Sequence, residues 1–237
     1  MEHKSEGICR FCLKTFAGSA IGRHLESCKK KAEQDANEMA KVAKNFKIYH
    51  IRVSSGKYYW LHLEMPASAT LVQLDHFLRA IWLECCGHLS AFTIHDTEYQ
   101  EIHDMVDYDE LWGPKPESMD KKLYTVMKEK DTFEYEYDFG STSHINGKII
   151  GVRRGWFKDK IKILARNNPY LFNCDKCKKE ATDLCIECDR FVCEECFEEH
   201  ECDEDMALPV ANSPRMGVCG FEGGNFVDEF EISLKQQ

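Results

Sequence analysis

Between residues 174 and 202 the chain carries seven of its thirteen cysteines, as CDKC, CIEC and CEEC followed by EEHEC. Three Cys-x-x-Cys pairs and a nearby His-x-Cys supply eight soft ligands, enough to close two tetrahedral zinc sites. A Cys-x-x-Cys turn lets two thiolates reach one ion while backbone amides donate to the sulfurs. Metal held this way stands in for a hydrophobic core too small to fold alone. Three such pairs in tandem are unlike the single dithiol of a redox motif. Closed cysteine-rich sites keep no open position for water, so this segment is expected to build structure and not to perform chemistry.

Four ligand pairs can be wired consecutively or crosswise. The second pair follows the first by seven residues and the third follows the second by four. This spacing is similar to that of the B-box and related cross-braced fingers, in which the first and third pairs share one zinc and the second and fourth share the other. The resemblance implies Cys174, Cys177, Cys193 and Cys196 around one ion, and Cys185, Cys188, His200 and Cys202 around a second. The last pair departs from the pattern, with Glu201 alone between His200 and Cys202, so Cys219 is kept as a second candidate for the final ligand. Cys202 is favoured because its chelate with His200 needs no long loop closure. Cys219 is then expected to be a packed thiol.

A third ligand set lies at the other end of the chain. Cys9 and Cys12 fall at a hairpin knuckle, and His24 and Cys28 lie one helical turn apart, an i, i+4 spacing that turns both toward the same ion. Phe16 and Ile21 occupy the positions of a miniature core. The stretch resembles a ββα zinc finger with Cys in place of the last His and one residue missing before the helix. Three zinc ions per chain are therefore expected. After Cys28, KKKAEQDANEMAKVAKN holds good helix formers without Gly or Pro, and is expected to continue the finger's helix.

Charge divides the chain's prospects for partners. Net charge is −10, yet residues 1–47 hold ten Lys/Arg against six Asp/Glu, while residues 174–205 hold four against thirteen. An acidic surface repels phosphate backbones, so the basic N-terminal finger is the segment suited to nucleic acid. Arg23, Lys29, Lys30 and Lys31 are its candidate contacts, for weak binding only. No stretch approaches the ~20 apolar residues a bilayer needs, so no membrane association is expected. MEHKSEGICRFC lacks the apolar core of a signal peptide, which points to a cytoplasmic protein with reduced thiols.

Residues 47–165 read as the main body. KIYHIRV and KYYWLHLEM have strand composition and flank a Ser-Ser-Gly turn. Thr70 with Gln73 forms a capping box, opening a helix whose Leu71, Leu74, Phe77, Leu78, Ile81 and Trp82 share a face, with Gly87 as the stop. AFTIH is another short strand. TFEYEYDFG alternates, with Phe133, Tyr135, Tyr137 and Phe139 on one side and Glu134, Glu136 and Asp138 on the other, as in a sheet with one wet face. KIIGVRR and KIKILAR complete an antiparallel set, and strands grouped with one or two helices mean α+β. ATLVQLDHFLRAIWLECCGHLSAFTI, an acidic loop and then FEYEYDFGSTSHI resemble the plasmid ORF-3-like family over roughly residues 47–155. The resemblance implies an α+β domain. The chain departs from it at Ser141, where an Asp often stands, and at position 143, where a Trp is usual.

Two further groupings invite a site. Cys85, Cys86 and His88 follow the core helix, but adjacent cysteines on a helix point in different directions, so they are read as packing residues. His95, Asp96, Glu98, His103 and Asp104 lack regular spacing and are read as an exposed acidic loop. No phosphate loop, nucleophile elbow or HExxH is present. Three segments result: 1–46, finger and helical linker; 47–168, the α+β domain; 169–237, the cross-braced two-zinc finger and tail. The favoured reading is a non-enzymatic zinc-binding adaptor for a protein partner. The alternative is a divalent-metal-dependent hydrolase or nuclease-like activity using the acidic loop and Asp138.

Overall fold

The computed structural model describes residues 5–40, 46–101 and 115–225. His103 and Asp104 of the acidic loop lie outside the described residues. The fold is α+β, and the chain divides into two compact units. The first joins residues 1–76 with 89–168, and the second joins 77–88 with everything from Pro169 on. No helix among the described residues is long and apolar enough to cross a membrane.

Ten strands of the first unit form one sheet: β1 (Glu6–Cys9), β2 (Thr15–Ala17), β3 (Phe46–Ser55), β4 (Tyr59–Pro66), β5 (Ser90–Ile94), β6 (Thr97–Gln100), β7 (Glu117–Ser118), β8 (Thr132–Tyr137), β9 (Ser143–Gly155) and β10 (Lys162–Asn167). Their spatial order is β2-β1-β10-β4-β3-β9-β8-β5-β6-β7. All pairs are antiparallel except β6 with β7, which makes the sheet mixed and not purely antiparallel as the sequence suggested. The finger's hairpin enters this sheet directly, because β1 pairs with β10 in a register that sets Cys9 opposite Ala165.

The helices are α1 (Ile21–Ser27), α2 (Lys29–Met39), α3 (Leu71–Leu78), α4 (Leu123–Val126) and α5 (Glu194–Phe197). Two sequence expectations are corrected here. The finger's helix does not run on through the linker: Cys28 is extended, at φ −70° and ψ 109°, and α2 starts afresh at Lys29. The core helix does not reach Gly87. It passes into a π turn over Arg79–Leu83, and Glu84 is already extended. The capping box is made reciprocally, with Thr70 N–H donating to Gln73 Oε1 at 3.1 Å and Gln73 N–H to Thr70 Oγ1 at 3.3 Å.

β4 explains how the N-terminal segment is seated. Successive side chains of a strand alternate faces, yet all of Trp60–Met65 are buried. Trp60 packs with Cys9, Ile21, Leu25, Cys28, Leu164 and Ala165, so the finger's small core is continuous with the sheet. A Cβ on Gly7 would come 2.5 Å from the Trp60 ring and 2.0 Å from the Arg166 carbonyl oxygen, which is why glycine stands there. Farther along the same face, Glu64 meets Lys31 of α2 at 2.9 Å, while Lys162 on β10 reaches Glu38 of α2 at 2.6 Å. On β8 the alternation holds for buried Phe133, Tyr135 and Tyr137, but Phe139 lies past the strand end and is exposed.

The second unit carries a three-stranded sheet of β11 (Asp183–Cys185), β12 (Arg190–Val192) and β13 (Ala207–Pro209), ordered β12-β11-β13. Phe172 and Phe191 stack at 4.3 Å beside it, and Ala181, Val192 and Leu208 are buried in the same unit.

Candidate metal centres

At the N-terminus, Cys9 closes β1 and Cys12 lies in the following turn. Leu13 takes the left-handed conformation there, at φ 60°, and its N–H donates to the Cys9 carbonyl at 2.9 Å. The turn brings Cys12 Sγ to 3.3 Å from His24 Nε2 on α1, while the helix break at Cys28 swings its sulfur to 3.9 Å from Cys9 Sγ. The four ligand atoms lie within 4.8 Å of one another. His24 is further fixed by stacking on Phe16 at 3.8 Å.

In the second unit the pairs come together crosswise. Cys174, Cys177, Cys193 and Cys196 form one cluster, and Cys185, Cys188, His200 and Cys202 form another, each within 4.8 Å. Cys177 and Cys193 sulfurs are 3.5 Å apart, and Cys188 Sγ is 3.6 Å from His200 Nε2. Lys178 and Asp189, at φ 66° and 55°, give the first two Cys-x-x-Cys loops their left-handed turns. Cys193 caps the short α5, which also carries Cys196. His200 and Cys202 leave α5 in an irregular segment and not on a strand.

Two thiols at adjoining clusters ionise easily. Hydrogen bonds led by the Cys177 N–H lower Cys174 to about 6. Burial opposes ionisation of Cys185, but the Cys188 N–H and His200 outweigh it and bring that thiol to about 6 as well. Burial, reinforced by the neighbouring sulfurs, pushes Cys9, Cys196 and Cys202 up to about 12. A second thiolate beside the first therefore needs a cation to stabilise it. The clusters are compatible with metal binding on both geometry and charge.

A fourth cluster includes the Cys85, Cys86 and His88 that the sequence reading took for packing residues. Cys85, Cys86, His88 and Cys219 also converge within 4.8 Å. The expectation that Cys85 and Cys86 ride a helix fails because the chain has left the helix by Glu84, and Gly87 at φ 78° folds His88 back toward them. Cys219 is exposed, and not the packed thiol expected. The Cys-Cys-x-His spacing was the available signal, but its fourth ligand lies 131 residues beyond His88.

Of the cationic candidates, Arg23, Lys29 and Lys30 are exposed. Lys31 is not: it turns inward, pairing with Glu64 and, at 2.7 Å, with Asp35, which corrects its assignment to a phosphate-facing run. Asp138 sits in a turn at φ 65°, where its Oδ1 accepts the Gly140 N–H at 3.0 Å. His95 pairs with Asp131 at 3.1 Å, and Glu98 accepts from Gln100. Asp75, His76 and Glu101 also approach one another, but buried Asp75 receives the Ser90 hydroxyl at 2.5 Å and the Tyr135 hydroxyl at 2.8 Å.

Residues 47–146 match the family model of the plasmid pRiA4b ORF-3-like protein. The central domain is similar to that family over these residues. A crystal structure of MM3350 from Methanosarcina mazei Go1, a protein of unknown function, is similar at 15% identity and a TM-score of 0.40, over 51% of this chain and 67% of that one. No curated protein matches the chain. The ORF-3-like match ends before residue 174, so the cross-braced pairs lie outside it, as does the N-terminal ligand set.

Proposed function

We propose that the chain is a zinc-binding adaptor, with an ORF-3-like domain joined to zinc-built modules and a protein partner engaged by the acidic C-terminal one. The crosswise arrangement of Cys174, Cys177, Cys193 and Cys196 with Cys185, Cys188, His200 and Cys202 carries this reading. Two interleaved four-ligand sets leave no coordination position for substrate, so the module's value is the surface it holds rigid. That module exposes Glu194, Glu198, Glu201 and Glu204, and it also exposes Ile186 and Met206, which are joined by an Ile186 N–H to Met206 carbonyl bond of 2.8 Å. Exposed acid and exposed apolar side chains on one small module suit a cationic peptide with hydrophobic anchors. The exposed Arg23, Lys29 and Lys30 support a weak additional contact with nucleic acid.

Zinc content and partner capture test this together. The full chain, purified without chelator, should carry zinc at these sites, and should retain from native lysate a protein that a Glu194→Lys, Glu198→Lys, Glu201→Lys variant of unchanged zinc content does not. Equal capture by both chains would overturn the acidic-surface reading.

A further inference from the structure

Cys85, Cys86 and His88 meet Cys219 across 131 residues of sequence, and the four have no part in the adaptor reading. Sulfurs bound tetrahedrally to zinc at about 2.3 Å stand about 3.8 Å from one another. Cys85 and Cys86 sulfurs are 3.7 Å apart, as are those of Cys86 and Cys219. His88 Nε2 closes the set, 2.9 Å from Cys86 Sγ and 3.2 Å from Cys219 Sγ. A disulfide would require about 2.05 Å between sulfurs. The spacing resembles that of the other clusters, in which the Cys177 and Cys193 sulfurs stand 3.5 Å apart, those of Cys9 and Cys28 3.9 Å, and Cys188 Sγ 3.6 Å from His200 Nε2.

The surroundings are built for a charged site. Three thiolates, one neutral imidazole and a divalent ion sum to −1. Arg215, fully buried, directs Nη2 to Cys85 Sγ at 3.5 Å, placing a permanent cation against that charge. The segment bearing Cys219 is itself specified. Ser213 Oγ donates to the Trp82 carbonyl and accepts the Arg215 N–H at 2.8 Å, and Phe221 is fully buried. Cys219 takes φ 52°, a conformation that disfavours side chains other than Asn, Asp or Gly. A non-glycine residue held there points to a compensating interaction, and a metal bond supplies one.

We propose that these four residues form a fourth zinc site, which clasps the segment around residues 213–221 to the end of the core helix. The site differs from the other three in having no buried ligand: Cys86 and Cys219 are both at the surface, whereas each of the other sets buries at least one cysteine. Its ion is therefore the first to leave under chelator.

The test is metal counting on the full chain, with thiol mapping on the unmodified protein. Elemental analysis should give four zinc ions per chain, falling to three in Cys219→Ser and in His88→Ala. Native iodoacetamide labelling should spare Cys86 and Cys219 until chelator is added, after which these two react before any other cysteine. Three ions in the wild type with no loss in either variant would overturn the site while leaving the other zinc centres standing. So would immediate labelling of both surface thiols, or a Cys86–Cys219 disulfide in the non-reduced peptide map. Should a variant fail to fold, the wild-type count and labelling order decide alone.

Discussion

Lys31 Nζ lies 2.9 Å from Glu64 Oε1, and that carboxylate is 1% exposed on its side chain. Arg153 of β9 reaches the same carboxylate and, at 3.1 Å, Asp35 of α2. The linker helix is thus held on the sheet by charges withdrawn from water. A buried ion pair adds little against a hydrophobic alternative, yet removing one partner strands the other.

Glu64→Ala should accordingly destabilise the protein by about 3–5 kcal/mol, through the stranded Lys31 and Arg153. Urea denaturation followed by far-UV circular dichroism measures this. A loss under 1 kcal/mol would mean that the network is solvated.

Acid should weaken the first unit in two steps. Burial lowers His50 to about 4, against the opposing pull of Glu64, and lowers its neighbour His62 well below 6.5. The unfolded histidines bind protons that the folded ones refuse, so His50 stabilises above pH 6.5 and its contribution fades as pH falls toward 4. Burial pushes Glu64 up, but Arg153 and Lys31 outweigh it and hold it at about 2, so its contribution is lost between pH 4.5 and 2. Each step is on the order of 3 kcal/mol. The check is the unfolding free energy against pH in the wild type and His50→Gln. An unchanged slope between pH 6.5 and 4 in the variant would remove His50 from the account.

Trp60→Ala should cost about 3–5 kcal/mol, as for other fully buried large side chains. It should also loosen the N-terminal zinc, because Trp60 packs in one cluster with Cys9 and Cys28. Gly7→Ala should produce the same pair of effects by overpacking the same contact, since its methyl meets both ring and backbone. A competition titration with a colorimetric chelator reads the zinc effect. Unaltered affinity in both variants would show that finger and sheet are energetically separate.

Cys202→Ser should remove one zinc and raise amide exchange across residues 185–202, leaving the Cys174 cluster loaded. Native mass spectrometry with hydrogen exchange tests this directly. Retention of every ion would place the final ligand elsewhere.

Nucleic-acid binding should be weak, with a log–log salt slope near −3 on duplex DNA if Arg23, Lys29 and Lys30 each neutralise one phosphate. Lys29→Glu with Lys30→Glu should abolish it without unfolding the chain. Lys31→Glu is a different perturbation, because it sets a third carboxylate beside Asp35 and Glu64 in the buried network. Nanomolar binding that survives the double change would defeat this reading.

What the sequence disclosed follows from distance along the chain. The Cys-x-x-Cys loops, the approach of His24 to Cys12 and the Thr70–Gln73 box are encoded within a few residues, where spacing fixes geometry. The alternation of Phe133, Tyr135 and Tyr137 likewise reported its own buried face. The pairing of β1 with β10, some 158 residues apart, left no periodic trace. Nor did the meeting of His88 with Cys219. Lys31 looked solvated because a lysine run says nothing of a buried carboxylate on a strand it has yet to meet. Cys28 seemed to continue a helix because propensity alone could not weigh a ligand position against one more helical residue.

The register of Cys9 opposite Ala165 has a bearing on how the protein survives metal loss. β10, with the sequence KILARN, is buried along its whole length, and β1 is what occupies its outer row of backbone donors and acceptors. The outermost strand is then β2, only three residues long. Short terminal strands are poor templates for a second chain, whereas a long apolar one recruits copies of itself. The hairpin thus covers the backbone edge of β10. On the zinc-binding reading proposed above, stripping the metal would unseat β1 and leave that edge open to a second copy of the chain.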